Sequence, residues 1–386
     1  MTPAGEGGAP VAVGVDVSAV PDEPRGAGRY VVELVRALDR RGNVDLRLET
    51  RRADAGRWRA LSPGAEVFPV VPDGRARRLA WEQIASPRFV DRWGVDVFHG
   101  PHYTMPEIAK APKVVTVHDL TFFDHPEWHE KVKVSLFTRA IRVAARRADA
   151  LVCVSDATAR RLHELLAPTM PVHVVPHGID HATFRAEREA DDEARLESVG
   201  VHPPYVAFLG TLEPRKDVAT LVHAFDLIAP ARPDVTLVVA GGRGWANERF
   251  ERAVAESPYR DRIVRTGYLD EAVVPALLRN AAAVSYPALA EGFGLPALEA
   301  LACGAPTITT EGSVMDEVTR GAAFGAPPGD PAGLAAVIDR VLSGGPDVAA
   351  RRARGLDVAA SYTWDATAEA HEAVYRDVAG AGGRRL

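Results

Sequence analysis

The feature that most constrains this chain is a rhythm played twice: a short Val-rich run, a turn, then a longer segment with helical periodicity. In the first stretch the runs are VAVGVDV (11–17), VDVFHG (95–100), KVVTVHDL (113–120), ALVCVS (150–155) and VHVVPHG (172–178). VDLRLET (44–50) and EVFPVV (66–71) repeat the pattern with charges interleaved. Helical spacing of apolar residues fills 28–42, 134–150 and 156–166. Near-continuous apolar runs of this length read as strands buried on both faces, the mark of a parallel sheet. The second stretch resumes with YVAFLG (205–210), VTLVVAGG (235–242), IVRTGY (263–268), AAVSYP (282–287) and PTITTE (306–311). Helices are expected at 217–229, 247–257, 271–281, 295–304 and 331–342. Strands alternating with helices of this length imply an α/β chain with two doubly wound parallel-sheet domains.

Between the two stretches, residues 181–204 are charged, hold no apolar run and end in Pro203-Pro204. They read as an interdomain linker, with one domain over 1–180 and the other over 205–363. A last helical pattern, 364–380, carries Trp364 and Tyr375 and leads to a tail, AGGRRL, expected to be loose. Ligands of doubly wound sheets bind beyond the carboxyl ends of the strands, so a cleft between the domains is the expected site.

Composition narrows the function classes. The 386 residues are 47% hydrophobic with a net charge of −6, which excludes disorder as the main state. No run approaches the roughly 20 apolar residues of a membrane-spanning helix. The opening MTPAGEGGAP lacks the basic and apolar regions of a secretion signal. Two cysteines, Cys153 and Cys303, exclude a disulfide scaffold and an all-cysteine zinc site, and fit a reducing cytosol. Residues 1–180 sum to +2 and the remainder to −8. The basic excess concentrates in 51–150, with 17 Lys and Arg against 12 Asp and Glu. That is too weak for a dedicated nucleic-acid protein, and fits an anionic ligand or membrane surface near the first half, or simply a solvated face.

Four motifs carry chemistry. The first runs from Glu291 to Glu299, EGFGLPALE. A strand ends, a glycine loop follows, and a helix opens at Leu295-Pro296, where proline suits the first turn. Gly292 and Gly294 let backbone N–H groups approach a phosphate at the helix start, and the two carboxylates can hold separate hydroxyl-bearing parts of one ligand. A capped helix with two surface glutamates would leave the same trace from Glu-x7-Glu alone; the glycines, the proline and the strand favour the ligand. The second is GTLEPRKD (210–217), directly after a strand, where Arg215 offers a fork and Lys216 a point charge to a diphosphate, and Asp217 is placed to cap the next helix. A solvated basic turn is the bland alternative.

The third motif is His118-Asp119 at the end of a strand, where an imidazole can donate to a sugar hydroxyl or orient a reacting group, or simply fill the core. Eight of the twelve histidines fall between 99 and 177, which raises metal binding. Pro126 argues against a helix carrying both His125 and His129, and no nearby cysteine completes a set, so no metal site is assigned. The fourth is RGAGRY (25–30), which opens the first helix. It lacks the third glycine of a dinucleotide fingerprint, as does GGRGWAN (241–247), so a dehydrogenase ranks last.

Together these residues resemble the retaining glycosyltransferases of family 4, with the GT-B fold, and most closely its bacterial mannosyltransferases. The resemblance spans nearly the whole chain. It rests on GAGRYVVELVRAL (26–38), VDVFHGPHYTMP (95–106), TVHDLTFFDHPEWH (116–129), ADALVCVSDATARRL (148–162), VVPHGIDHATF (174–184), FLGTLEPRKDVATLVHAF (208–225), EGFGLPALEALACGAPTI (291–308) and SYTWDATAEAHEAVY (361–375). It implies two Rossmann-like domains facing across a cleft, an acceptor on the first, a nucleotide-sugar on the second, and a last helix (364–386) that crosses back to the first. Arg215 and Lys216 would neutralise the diphosphate, Glu299 would accept from ribose hydroxyls, and Glu291 would hold the sugar. Phe293, Gly294 and Leu295 would give backbone donors, Gly210 would line the donor, and Gly267 and Tyr268 would sit near the base. His118 would contact the transferred sugar, with Gly26 and Gly28 on its phosphate side. Two departures stand out: Thr211 occupies a place where many relatives carry Arg, and Ala288 one where they often carry Ser.

The implied reaction is retaining transfer of a hexose, mannose from GDP-mannose by resemblance, to a saccharide or lipid-linked hydroxyl, with no metal or cofactor required beyond the nucleotide-sugar. The chain would act in the cytoplasm or at the inner face of a membrane, which Arg139, Arg142, Arg146 and Arg147 of one helical pattern would contact if they are more than a solvated face. A GT-B epimerase or phosphorylase, and a non-catalytic nucleotide-sugar binder, are the competing readings.

Overall fold

A computed structural model describes residues 10–382. The readings made for the first nine residues and for the tail beyond Gly382 lie outside them. The chain divides into two compact units. One takes the chain up to Gly178 together with the C-terminal helix from Trp364; the other is Ile179–Thr363.

The first unit is built on seven parallel strands: β1 (Val11–Asp16), β2 (Val44–Arg51), β3 (Glu66–Val71), β4 (Val97–Gly100), β5 (Lys113–Val117), β6 (Ala150–Cys153) and β7 (Val172–Val174). Their order across the sheet is β3-β2-β1-β4-β5-β6-β7. Successive side chains feed opposite faces, as the two-residue repeat of a strand requires. Val114 and Val152 pack with Tyr30, Leu34 and Leu38 of the helix Ala27–Arg41 on one side. Val115 and Leu151 pack with Ile141, Ala144 and Ala145 of the helix Lys131–Arg147 on the other. Burial of each such side chain contributes about 1.5–3 kcal/mol, so a strand needs no exposed polar face and the apolar runs in the sequence are explained.

The helix Trp364–Gly382 belongs to this first unit. It buries Trp364, Val374, Tyr375 and Val378 in the same core as the helix Ala27–Arg41. Arg41 pairs with the buried Glu372 at 2.7 Å, and Asn43 donates to the same carboxylate. The last helix therefore crosses back onto the first sheet.

The second unit has six parallel strands: β8 (Tyr205–Leu209), β9 (Thr236–Ala240), β10 (Ile263–Gly267), β11 (Ala283–Tyr286), β12 (Thr307–Thr310) and β13 (Phe324–Ala326), ordered β10-β9-β8-β11-β12-β13. The first six strands of the first sheet's order, from β3 to β6, and the whole of the second follow the same winding. Strand β13, only FGA, and the helix Pro346–Ala360 escape a pattern reading: one is too short, and the other is rich in Arg and Ala rather than amphipathic by large side chains. Gly355 of that helix is needed for close packing, since a Cβ there would stand 2.8 Å from Leu301.

Residues 181–204, read as a linker, carry the short helix Asp192–Glu197. Its Asp192 forms a buried, two-pronged pair with Arg279 at 2.6 and 2.9 Å and accepts from Asn280, so this segment is packed into the second unit. Among the described residues no helix is long and apolar enough to cross a membrane.

Candidate active-site residues

The chemistry-bearing residues of the second unit gather at the carboxyl edge of its sheet, where β8 and β11 lie side by side. After β8 the chain passes Gly210 and tightens into the turn Pro214–Lys216; Asp217 then takes a left-handed conformation (φ 47°) before the helix Val218–Ile228. After β11 the loop 287–293 returns toward this turn, and Leu289 N–H donates to the Arg215 carbonyl at 2.8 Å. That one backbone bond ties the two loops together and sets their side chains face to face.

Arg215, Lys216 and Glu291 converge there. The Arg215 guanidinium donates to Glu291 Oε1 at 2.5 Å and to the Ala290 carbonyl at 3.3 Å, while its Nε bonds Glu213 at 3.0 Å. The Lys216 ammonium, only 6% exposed, donates to the same Glu291 oxygen and to the Tyr286 hydroxyl. Tyr286 in turn donates to Glu291 Oε1 at 3.1 Å, and its ring centre lies 4.6 Å from Lys216 Nζ. Burial pushes Lys216 down to about 8, helped by the neighbouring Arg215 charge. Burial by itself would raise the Glu291 carboxyl, but Arg215 and Lys216 outweigh it and hold the group below its usual value. Burial and the adjacent Glu291 keep Tyr286 neutral. The cluster sets two cations, Arg215 and Lys216, against two carboxylates: Glu291, shared by both, and Glu213, on Arg215 alone.

Beside the cluster, Gly294 sits at φ 96° and opens the helix Leu295–Ala302, with Pro296 in its first turn. The space is as restrictive as the dihedral, for a Cβ at Gly294 would meet Met315 Cγ at 3.0 Å. Phe293 is buried edge-on against Tyr362, ring centres 5.8 Å apart. Glu299 is buried on the second turn of the same helix. Gly267 ends β10 at φ 68°, its carbonyl accepting from Gly241 N–H at 2.7 Å, and Tyr268 next to it is half exposed. Asp217 does not cap its helix through a backbone N–H; its carboxylate accepts from the Thr220 hydroxyl at 2.7 Å instead.

In the first unit His118 follows β5, buried, with Nε2 2.8 Å from the Pro101 carbonyl. A carbonyl cannot donate, so Nε2 carries the proton and Nδ1 is left as an acceptor. Burial lowers its basicity, and it stays neutral at physiological pH. Tyr30, His102, Tyr103 and His177 ring it, with centroids 5.0–5.9 Å away. Gly26, at φ 48°, precedes the helix Ala27–Arg41, and Gly28 lies in its first turn against Pro21. His125 and His129 are not a ligand pair. His125 stacks on Trp128 at 3.8 Å, whereas His129 bonds the Thr121 hydroxyl.

Pattern reading missed Tyr286 and Glu213, the hydroxyl and the second carboxylate that bond Lys216 and Arg215. A hydroxyl-bearing residue at the last position of a buried strand was the available signal for Tyr286. Thr211 brings a hydroxyl rather than a cation to its place, and Ala288 is fully buried.

Comparison with known proteins agrees with this architecture. Residues 24–183 match the family model described as Glycosyltransferase Family 4, and 192–355 match that of glycosyl transferases group 1. The chain is 27% identical to O-antigen chain mannosyltransferase B of Escherichia coli, over 88% of its own length and 93% of that protein's. It is 30% identical to glycogen synthase of Mycobacterium tuberculosis (strain CDC 1551 / Oshkosh), covering 73% and 69%. In fold it is similar to sucrose-phosphate synthase from Thermosynechococcus elongatus, with a TM-score of 0.78, 21% identity and coverage of 96% and 100%. With both halves matched and the two sheets wound as they are, the chain belongs to the GT-B glycosyltransferases of family 4 and is similar to the bacterial mannosyltransferases among them.

Proposed function

We propose that this glycosyltransferase moves a hexose, mannose from GDP-mannose, onto an acceptor hydroxyl with its α configuration retained. The observation that carries the reading is the convergence of Arg215 and Lys216 on one point at the carboxyl edge of the second sheet, beside the N-terminus of the helix Leu295–Ala302. Two cations and a helix start answer the two charges of a nucleoside diphosphate. The mannosyl preference draws on the likeness to mannosyltransferases; no residue of the second unit by itself selects guanine or mannose.

In this reading the acceptor oxygen attacks the anomeric carbon as the bond to the β-phosphate oxygen breaks. The acceptor proton passes to the departing phosphate, and the products are a glycoside and a nucleoside diphosphate. Arg215, Lys216 and the backbone N–H groups from Phe293 to Leu295 stabilise the negative charge that grows on the leaving group. Their fixed positive charge fills the role a divalent cation has elsewhere, so the reaction needs no metal. Glu291 orients the sugar hydroxyls, Glu299 the ribose, and Gly267 and Tyr268 border the base, with Gly210 beneath. His118 offers its unprotonated Nδ1 to a sugar hydroxyl, and Gly26 and Gly28 allow close approach of the first helix to the donor. The acceptor is a saccharide or a lipid-linked saccharide. Arg139 is tied to Glu107 and Arg142 lies over Phe123, so Arg146 and Arg147 are the members of that helix left to meet an anionic membrane.

The test is turnover of GDP-mannose against UDP- and ADP-sugars, with Lys216→Ala beside wild type. Lys216→Ala is expected to lose on the order of a hundredfold or more in kcat/KM, and Glu291→Ala a similar factor in kcat. A Lys216→Ala enzyme with wild-type turnover would falsify the diphosphate assignment.

A further inference from the structure

The Glu291 carboxylate and a diphosphate need the same two cations. In this structure Arg215 and Lys216 both donate to Glu291 Oε1, and the third donor to that oxygen is the Tyr286 hydroxyl. The hydroxyl is bound on both sides: its oxygen accepts from Lys216 and its hydrogen goes to Glu291. Tyr286 is also the best-anchored member of the group. It lies at the end of β11, 1% exposed, stacked 6.0 Å from Phe208 of β8. Lys216 and Arg215 stand on a turn and Glu291 on a loop.

Resting on the donor-site reading above, we propose that Glu291 is the internal counter-anion of the diphosphate cations and that Tyr286 is the positioning residue for its exchange. Before donor binds, Glu291 neutralises the buried Lys216 and shares Arg215 with Glu213, so neither cation is left uncompensated. When the diphosphate arrives it competes for both. The Tyr286 hydroxyl then keeps its bond to Glu291, so the carboxylate freed from the cations stays where the sugar hydroxyls come. A buried carboxylate stripped of every partner is strongly destabilised, and the tyrosine bond prevents that at the moment of exchange.

The experiment compares wild type, Glu291→Gln, Tyr286→Phe, their double variant and Lys216→Ala by calorimetry with GDP and UDP and by steady-state kinetics. Glutamine keeps the shape and removes the competing charge. Glu291→Gln is expected to bind the free diphosphate three- to tenfold more tightly than wild type, while kcat falls on the order of a hundredfold. Tyr286→Phe is expected to lower kcat about tenfold with donor KM within twofold. Tyr286→Phe added to Glu291→Gln is expected to cost nothing further, because the tyrosine acts through the carboxylate. Equal or weaker diphosphate binding by Glu291→Gln overturns the counter-anion role. Additive losses in the double variant overturn the positioning role of Tyr286. Failure of wild type to bind either nucleotide, or unchanged binding by Lys216→Ala, sinks the donor-site reading itself and is recognisable as that.

Discussion

At the scale of single residues, Lys216 has the most telling environment. Burial and Arg215 push its pKa down to about 8, against the pull of Glu291 and Glu213, while Tyr286 faces it as a neutral hydroxyl. A group with this value is charged at neutral pH and loses its charge just above it. Diphosphate affinity is therefore expected to be flat from pH 6 to 7.5 and to fall as pH rises past 8, by up to about tenfold per unit. Lys216→Arg keeps its charge through this range. Its larger fork fits the buried slot less well, costing roughly three- to tenfold at pH 7, but the alkaline decline should vanish. Calorimetric titration of GDP from pH 6 to 10 decides it; an unchanged decline in Lys216→Arg assigns the titration to another group. The sequence carried part of this. Adjacent Arg and Lys after a strand, and a glutamate before a glycine loop, are visible as types in order. That Glu291 would close on those cations is not, because it depends on the Leu289–Arg215 backbone bond between two loops distant in sequence. Glu49 and Glu82 show the same limit. Burial and the nearby Asp16 charge push them up to about 8 and about 7, yet nothing in their sequence neighbourhoods separates them from solvated glutamates.

At the scale of elements, the C-terminal helix shows how a polar chain can secure a docking surface. The His371 Nδ1–H donates to the Thr367 carbonyl at 2.8 Å, which leaves Nε2 to accept from the Tyr30 hydroxyl at 2.8 Å. Tyr30 then accepts from Thr116, Thr116 from His99 Nε2, and His99 Nδ1 from Tyr375, at 3.0, 2.8 and 2.8 Å. Every bond in this order is satisfied only if both imidazoles are neutral. Burial lowers His371 to about 4 and holds His99 well below its usual value too. Because the folded value lies below the unfolded one of about 6.5, the unfolded chain takes up the proton first. The contribution to stability is full above pH 6.5 and is lost as pH falls toward 4, on the order of 2–3 kcal/mol for His371. His371→Gln, which can still accept from Tyr30 but cannot titrate, should be about 1–2 kcal/mol less stable than wild type at pH 7. The gap should close or reverse near pH 4.5 in urea melts, and a constant gap across the range excludes the protonation account. Periodicity made this helix legible and left its partner open, since Trp364 and Tyr375 would suit any apolar surface. The family resemblance supplied the partner. The strands were legible for a simpler reason: parallel strands buried on both faces need apolar residues at every position, which leaves a run no helix surface would tolerate.

At the scale of the molecule, the division of the chain does not follow its order. The last helix is separated from its core by the entire second unit, so one fold is made of two distant pieces and the other of a single span, Ile179–Thr363. Charge is distributed without regard to the proposed chemistry as well: the more acidic part of the chain holds the cations for the donor. Local arrangement outweighs net charge there, because a diphosphate would exchange with Glu291 for Arg215 and Lys216 at contact distance, whereas scattered surface carboxylates are screened by salt within about 10 Å. This arrangement separates binding from turnover in a way that can be measured. Tyr375→Phe removes the donor to His99 and so loosens the C-terminal helix within the first unit, to which both residues belong. Free GDP affinity is expected to stay within about twofold of wild type, since the proposed donor residues Arg215, Lys216, Glu291 and Glu299 all lie in Ile179–Thr363. Stability should drop by about 1–2 kcal/mol, and kcat should fall severalfold as His118 and Gly26 lose their setting. Removing the helix altogether by ending the chain at Thr363 should abolish turnover and expose the apolar face of Tyr30, Leu34 and Leu38. Calorimetry with GDP on both variants is the check. Loss of GDP binding in Tyr375→Phe, at a temperature where the variant is fully folded, would show that the donor site depends on the first unit rather than standing in the second.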